Sequence, residues 1–588
     1  MEIQSLSKPS CLNKRQISPG FESKRTALYN CLSMNDRPEA ETPTSCSSIK
    51  FEVHNRSRWD YVIALLIFVA VSVQGFFTIH QVGISWDEPY YFIRAKNYLA
   101  WFSRLGEAGS FSRETLSRTF GFEPKRDDHP PLTKLLSGLP LILLRERVGD
   151  FWAFRMSSPI LFGVMLGLIF LRTAWAWGRV AAIASVVCVF SLPRLFVEGH
   201  ISATEMPLCF FWFLSVWSFE AAARRRALIP LAGVCYGLAM SVKFTGFLLP
   251  LPLLAWALLY ERKNLALILV SLLLLGPLVF CLLDPGLWHS PWSGFLEFVR
   301  LSLSRRSWNP RWVLFLGKIH QFSPPWYYAP FMVLVTVPVF TLALFFLGTA
   351  QAIANRLKDE LAGSCLIHFL FLTAMTMPSN APMFDGVRLF IPAFLFLGMI
   401  AGKGFAGALN WLVSQAQERH FIIPLLRRPR ILGTITAFLL ALGITLPLFR
   451  IYPYGLEYYN ELIGGVSGAR RLGMETTYWW TVLKPSDLAR VNKILPEGVS
   501  LRFFPMDPDL WKLYQEMGLL RKDIRVSTGT DFDYILILSR PYWNYAGIFR
   551  FLNIPQPKLK PLAYEMLDEV PLWVLYQAPA KIPDTSNK

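Results

Sequence analysis

Residues 59–102 read WDYVIALLIFVAVSVQGFFTIHQVGISWDEPYYFIRAKNYLAWF. Positions 60–79 form an apolar run long enough to cross a bilayer, because a hydrocarbon core takes roughly 20 helical residues. Asp87 and Glu88 follow the run directly, and Pro89 suits the first turn of a helix that Asp87 could cap. Phe92, Ala95, Tyr98 or Leu99, Phe102 and Leu105 then recur at helical spacing, while Arg94, Lys96 and Arg104 fall on other faces. That is the pattern of a helix lying on a membrane surface. A membrane span, two carboxylates at its exit and an interfacial helix therefore follow one another.

The rest of the chain extends this plan. Further apolar runs lie near 154–173, 179–197, 203–221, 227–244, 245–260, 264–283, 328–348, 362–378, 387–408 and 431–450, which makes eleven with the first. Of 588 residues, 53% are hydrophobic and only 17% are charged. Soluble domains carry roughly 25% charged residues, and the mean hydropathy here is +0.35. A soluble enzyme, a disordered chain, a collagen-like chain and a small disulfide-rich chain are all excluded. The expected fold class is an all-α polytopic membrane bundle of about eleven transmembrane helices. Interfacial helices fill its first outer loop, and a small C-terminal α/β domain lies outside the membrane.

The net charge of +18 needs placing. Residues 1–58 contribute +3 and residues 451–588 contribute +1, so the excess lies between the apolar runs. A nucleic-acid binder would gather it on a polar domain or tail, and no nucleic-acid partner is expected. Residues 1–58 are polar, rich in Ser, Asn and Pro, and read as a disordered cytoplasmic tail. With that end inside, the short inner loops carry Arg172 and Arg179, Arg224 to Arg226, Arg262 and Lys263, Arg356 and Lys358, and Arg419 to Arg430. This obeys the positive-inside rule. Lys243, at an outer turn, is the exception. The transmembrane part then runs from 59 to 450, with a first outer loop at about 80–153 and a second at about 284–327. Residues 451–588 form the outer C-terminal domain, where β-like runs at Val499–Pro505, Tyr534–Ser539 and Leu572–Gln577 flank a helical stretch at 508–519. All eight cysteines lie in the tail or in the apolar runs, so no disulfide framework is expected.

Groups able to do chemistry collect on the outer side. Asp87 and Glu88 could cap a helix, or serve as a general base or as ligands to a metal or sugar. In KRDDHPPLTK, Asp128 and His129 precede a Pro-initiated helix with Lys134 one turn in, and a helix N-terminus beside a cation attracts phosphate. His200 and Glu205 surround the third outer turn, and ionisable groups at membrane depth are costly. Lys243 either snorkels or binds phosphate. Asp385 and Arg388 could pair with each other or join a site, and Arg305 and Arg306 are further phosphate candidates. Carboxylates, cations and lipid contact at one face suggest a lipid-phosphate substrate.

The motifs WDEPYY, DHPPLTK, HISATEMPL, LAMSVKFTG, SPPWYYAP, FDGVRLFIPAF and YPYGLEYYNELIGGVSGARRLGMETTYWW occur in that order between about 59 and 480. In this the chain resembles the polytopic, lipid-phosphate-dependent glycosyltransferases of the C superfamily. Within them it is similar to the family-39-like membrane proteins related to protein O-mannosyltransferases and to the lipid A aminoarabinose transferase. The resemblance implies a polyprenyl-phosphate sugar donor, a lipid, protein or glycan acceptor, and inverting transfer at the outer membrane face, with Asp87 as general base. The membrane would be the inner one in a bacterium. It implies that Asp128, His129 and Pro130 lie near the donor phosphate and that Lys243 and Arg388 hold it. Glu205 stands where the family usually has Asp. A divalent metal beside Asp87 and Glu88 is compatible with this, although no spacing requires one. The alternatives are a transporter or flippase of lipid-linked sugars, in which charges near the midplane and paired repeats are expected, and a non-catalytic relative that binds lipid phosphate.

Overall fold

A computed structural model describes residues 56–121, 129–308, 311–379, 381–418, 429–505, 508–529, 531–540 and 560–578. The chain divides into two units, Met1–Phe51 and Glu52–Lys588. The first unit, which holds most of the expected tail, lies outside the described residues, as does Asp128.

Every one of the eleven apolar runs carries helix, but they differ in length. Six helices are long and apolar enough to cross a membrane, as befits a multi-pass membrane protein: Arg58–Thr78, Asp150–Phe190, Glu205–Arg224, Leu265–Leu283, Ala393–Gln415 and Gly433–Ile451. The second of these takes up two runs, because its helix Ser157–Phe190 continues through a kink at Gly178, where φ is 83°. The run at 328–348 breaks instead into Tyr328–Thr336 and Val339–Ala354, which meet at 116°. Val337 is extended ahead of Pro338, as the clash of a proline ring with the preceding residue dictates. Three runs carry only the shorter apolar helices Arg226–Met240, Phe244–Leu259 and Glu360–Ala374. By length and composition the described residues thus offer six or seven full crossings where the hydropathy pattern suggests eleven.

Burial sorts these helices into layers. Ser157–Phe190 is central, flanked by Arg58–Thr78 and Ala393–Glu418. Arg58–Thr78 sits close because a Cβ on Gly163 or Gly167 would lie 2.7 or 2.8 Å from the carbonyl oxygens of Phe68 and Ala64. Small residues of this kind let membrane helices approach. The outer helices keep long apolar side chains exposed, among them Leu66, Phe77, Leu273 and Leu274, as a lipid-facing surface requires.

The segment expected as the first outer loop folds into helices Glu88–Phe102, Arg113–Phe120, Leu132–Val148 and Asp150–Arg155. In the segment expected as the second, helix Pro291–Leu303 precedes an antiparallel hairpin of Trp312–Phe315 with Lys318–Gln321. Near the C-terminus a five-stranded sheet has the order Arg525–Val526, Ser500–Phe504, Tyr534–Leu538, Val570–Gln577, Ala563–Leu567. The first three strands are parallel and the last two join antiparallel. Three of these strands and helix Pro508–Glu516 stand where alternation and helical spacing put them. The stretch 452–484 does not join this sheet. It packs back on the helical part, where the Asn460 amide donates to the carbonyls of Leu334 and Val337.

Candidate active site

Asp87 occupies the N-cap position of helix Glu88–Phe102 but makes no side-chain capping bond. Its Oδ2 instead accepts from the Arg388 guanidinium, 301 residues away, and from the Trp479 indole at 3.2 Å. Arg388 is the hub of the site. Its Nε donates to Glu205 Oε1 at 2.8 Å, and its Nη1 stands 3.6 Å from Asp385 Oδ2. Its guanidinium lies 3.5 Å from the centroid of the Trp479 ring, a distance at which cation–π attraction operates.

Glu205 is buried in the first turn of helix Glu205–Arg224, where the helix dipole favours a carboxylate. The same Oε1 accepts from Lys243 Nζ at 2.8 Å. Asp385 also receives the Arg540 guanidinium at 2.7 Å. Three carboxylates and three cations therefore form one connected, mostly buried network, in which each charge offsets the desolvation of its neighbours.

Backbone strain helps to shape the site. Asp385, Trp479 and Trp480 all have positive φ, at 54°, 51° and 62°. Bulky L-residues rarely adopt this region, and strain of this kind gathers at functional sites. It brings both tryptophans to the cavity wall, where Trp480 packs edge-on against Trp86 at 3.8 Å between ring centroids. Gly386 follows at φ 70°, and a Cβ there would meet Arg194 Nη1 at 2.4 Å.

The network opens into a cavity lined by Asp87 and Asp385, by Lys243, Arg305, Arg311, Arg388 and Arg540, and by Tyr91, His129, Trp86, Trp479 and Trp480. Five basic side chains against two carboxylates in its lining favour an anion, and the indoles offer faces for a ring or an isoprenoid chain. Just behind lie two buried acids outside the spans. Burial pushes Glu475 up to about 7 and Glu457 up to about 8.

Residues 128–288 match the model of the dolichyl-phosphate-mannose-protein mannosyltransferases. Over that segment the chain is similar to this family of O-mannosyltransferases. The matched segment carries His129, Lys134, His200, Glu205 and Lys243. No curated protein sequence matches the chain. Among solved structures it is similar to ArnT from Cupriavidus metallidurans in the apo state, at 14% identity and a TM-score of 0.47, covering 87% of this chain and 98% of that one. It is also similar to the same protein bound to undecaprenyl phosphate, at 13% identity and 0.46, covering 87% and 97%. The Archaeoglobus fulgidus oligosaccharyltransferase tethered with an acceptor peptide resembles it at 12% identity and 0.45, covering 80% and 64%.

The structure brings together Asp87, His129, Arg305, Asp385, Arg388, Lys243 and Glu205. It differs from the sequence reading at five residues. Glu88 does not share the cavity with Asp87. It is wholly buried, and its two oxygens accept from Arg155 Nε and Nη2, both at 2.6 Å, and from the Ser85 and Ser202 amides. A metal cradle made by Asp87 and Glu88 does not fit this donor set, and among the described residues no group of three or more His, Cys, Asp or Glu side chains is arranged to hold a metal ion. Lys134 is buried, with Nζ donating to the carbonyls of His129 at 2.7 Å and Pro130 at 2.9 Å, so it holds the His129 loop. His200 lies apart, hydrogen-bonded to Phe196 O and Thr78 Oγ1, both at 2.9 Å, and burial pushes it down to about 4. Lys243 and Arg388, expected on phosphate, are engaged by carboxylates. The side chain of Arg306 lies outside the described residues. Sequence reasoning missed Arg311, Arg540, Trp86 and Trp479. The YWW cluster was quoted as a motif, but nothing local marked it as part of the site.

Proposed function

We propose that the protein moves a sugar from a polyprenyl-phosphate donor to an acceptor hydroxyl at the outer membrane face, with inversion at the anomeric carbon. The observation that carries this reading is the meeting of the Asp87 carboxylate with five cations in a single indole-lined cavity. Arg388 and Trp479 both hold Oδ2, which fixes the carboxylate and leaves Oδ1 for the incoming hydroxyl. As that oxygen bonds to the anomeric carbon, its proton passes to Asp87, and the carbon–oxygen bond to the phosphate breaks on the opposite face. General-base assistance of this type is worth about 10²–10⁴-fold.

The leaving phosphate gains negative charge, and cations fixed where that charge develops lower the barrier. Arg305, Arg311, Arg540 and the His129 loop supply the direct contacts. Lys243 and Arg388 act from behind, held in place by Glu205. Glu88 supports Asp87 by locking the start of its helix to Arg155. The kinship of residues 128–288 with mannosyltransferases supports the same chemistry.

The test measures sugar transfer from a labelled polyprenyl-phosphate donor in membranes carrying the wild-type chain or Asp87→Asn. The reading requires transfer to fall at least about a hundredfold in the variant. Full activity in Asp87→Asn would overturn it, and movement of the lipid-linked sugar across the membrane without transfer would favour a flippase.

A further inference from the structure

Helix Glu205–Arg224 has its first residue behind the wall of the Asp87 cavity, against Lys243 and Arg388, and is 20 residues long. At 1.5 Å per residue its other end lies about 30 Å away, on the opposite side of the bundle. A second pocket opens there, lined by Arg56, Arg172, Arg224 and Arg225 and by the single carboxylate Glu220, with Trp175, Trp217 and Leu231 among its apolar walls. From its charge, its walls and two unmatched buried atoms, we infer that this pocket binds the headgroup of an anionic glycerophospholipid, the phosphate on Arg56, Arg225 and the Trp175 indole and a headgroup hydroxyl on Glu220.

The unmatched atoms define the ligand. Trp175 Nε1 is buried without a hydrogen-bond partner among the described residues, although the Arg56 guanidinium stacks 4.4 Å from the centroid of its ring. Glu220 is 2% exposed, and its Oε2 pairs with Arg172 Nη2 at 2.6 Å, whereas its Oε1 has no partner. Leaving such atoms unsatisfied costs stability that a matching ligand restores. A single ligand that offers an acceptor to the indole and a donor to the carboxylate cures both, and a phosphate ester bearing a hydroxyl does so.

The charge selects an anion. Arg172 is paired with Glu220 and Arg224 with Glu360. Arg56 and Arg225 have no carboxylate in salt-bridge range among the described residues. The pocket also sits where a membrane-crossing helix emerges, at headgroup depth, and basic pockets between such helices bind anionic lipids. Trp217 and Leu231 then flank the acyl chains.

The test uses the purified full-length chain in nanodiscs of phosphatidylcholine alone, with added phosphatidylglycerol, or with added phosphatidylethanolamine. Native mass spectrometry counts the retained lipids. Wild type is expected to retain phosphatidylglycerol over both other lipids. Trp175→Phe, which removes only the indole N–H, and the pair Arg56→Gln with Arg225→Gln are each expected to weaken that retention about tenfold. Equal retention by Trp175→Phe, which is too mild a change to prevent folding, overturns the proposal. A preference for phosphatidylethanolamine overturns the headgroup assignment. Displacement by free glycerol 3-phosphate at comparable concentration overturns the lipid source in favour of a soluble anion.

Discussion

Replacing Glu88 by Gln tests whether the two adjacent carboxylates have separate jobs. In the native protein Glu88 and Arg155 are both fully buried, and the carboxylate takes four donors at 2.6 to 3.0 Å. The amide keeps the shape but turns one acceptor into a donor facing another donor, and it leaves the Arg155 charge buried and unpaired. Arg155 also donates to the carbonyls of Ile79, Val82 and Gly83, so it cannot swing away without stranding them. Removing one partner of such a pair costs about 3–5 kcal/mol, a large part of the roughly 5–15 kcal/mol that holds a typical domain together. Asp87→Asn should behave in the opposite way. The Asp87 side chain is 22% exposed, and an amide oxygen still accepts from Arg388 and Trp479, so its stability should change by about 1 kcal/mol. Its transfer rate should fall by about 10²–10⁴. Denaturant unfolding of purified protein gives the first quantity, and transfer per folded molecule gives the second. If Glu88→Gln were as stable as wild type and lost transfer as Asp87→Asn does, the division of roles drawn here would be wrong.

Arg388→Lys keeps a charge but loses the fork that reaches Asp87, Glu205 and Asp385. It should lower kcat about a hundredfold, roughly 2.7 kcal/mol of barrier, and an effect confined to KM would contradict the hub role. Glu475 and Glu457 are held neutral by burial, up to about 7 and about 8 against an ordinary 4.5. Each folded-state value is raised, so the unfolded chain releases these protons first. Stability then falls by about 1.4 kcal/mol per pH unit per carboxyl from pH 4.5 up to the folded-state value. Glu475→Gln should therefore leave the thermal midpoint near wild type at pH 4.5 and raise it at pH 8, and a midpoint that drops at pH 8 counts against this. A Cβ on Gly83 would lie 2.2 Å from the Thr481 carbonyl oxygen and 2.6 Å from that of Leu483. Since backbone on both sides cannot yield, Gly83→Ala should cost about 2 kcal/mol or more, visible as a lower yield of monodisperse protein. An unchanged yield and melting point would refute that close approach.

The legible part of this molecule was local. Helix lies within each of the apolar runs that hydropathy marks, and short β-like runs located three of the five C-terminal strands, because each pattern reports on a stretch only a few residues long. Whether a run crosses as one helix was less legible, since Pro338 cuts a run whose composition stays apolar across the break, and the helix Ser157–Phe190 joins two runs across its kink at Gly178. Asp87 and Glu88 looked like a pair because they are adjacent, yet neighbours at the start of a helix point about 100° apart. One therefore faces Arg388 and the other Arg155. Arg540 and Trp479 reach their partners over 155 and 392 residues, separations at which no periodicity carries information. The positive φ of two consecutive tryptophans is equally hidden, because no glycine marks the place.

The charges at the Asp87 cavity bear on how it would handle an anion. The resemblance implies that Lys243 and Arg388 hold phosphate, but both donate to the same oxygen of Glu205, and Arg388 also holds Asp87. A cation already satisfied by buried carboxylates gains less from a ligand, because its desolvation is offset beforehand. Under the proposed function, direct anion contact falls first to Arg305 and Arg311 on the cavity wall, with Arg540 drawn in part from Asp385. The inner cations keep the base oriented and the field positive. Arg540 is itself tied to Asp385, one turn from Arg388, so the outer and inner cations are mechanically linked. On this arrangement an arriving phosphate that draws on Arg540 also loads the Asp385–Arg388 contact. Under the proposed function, donor binding and the placement of Asp87 would then be coupled through three side chains rather than built as independent sites.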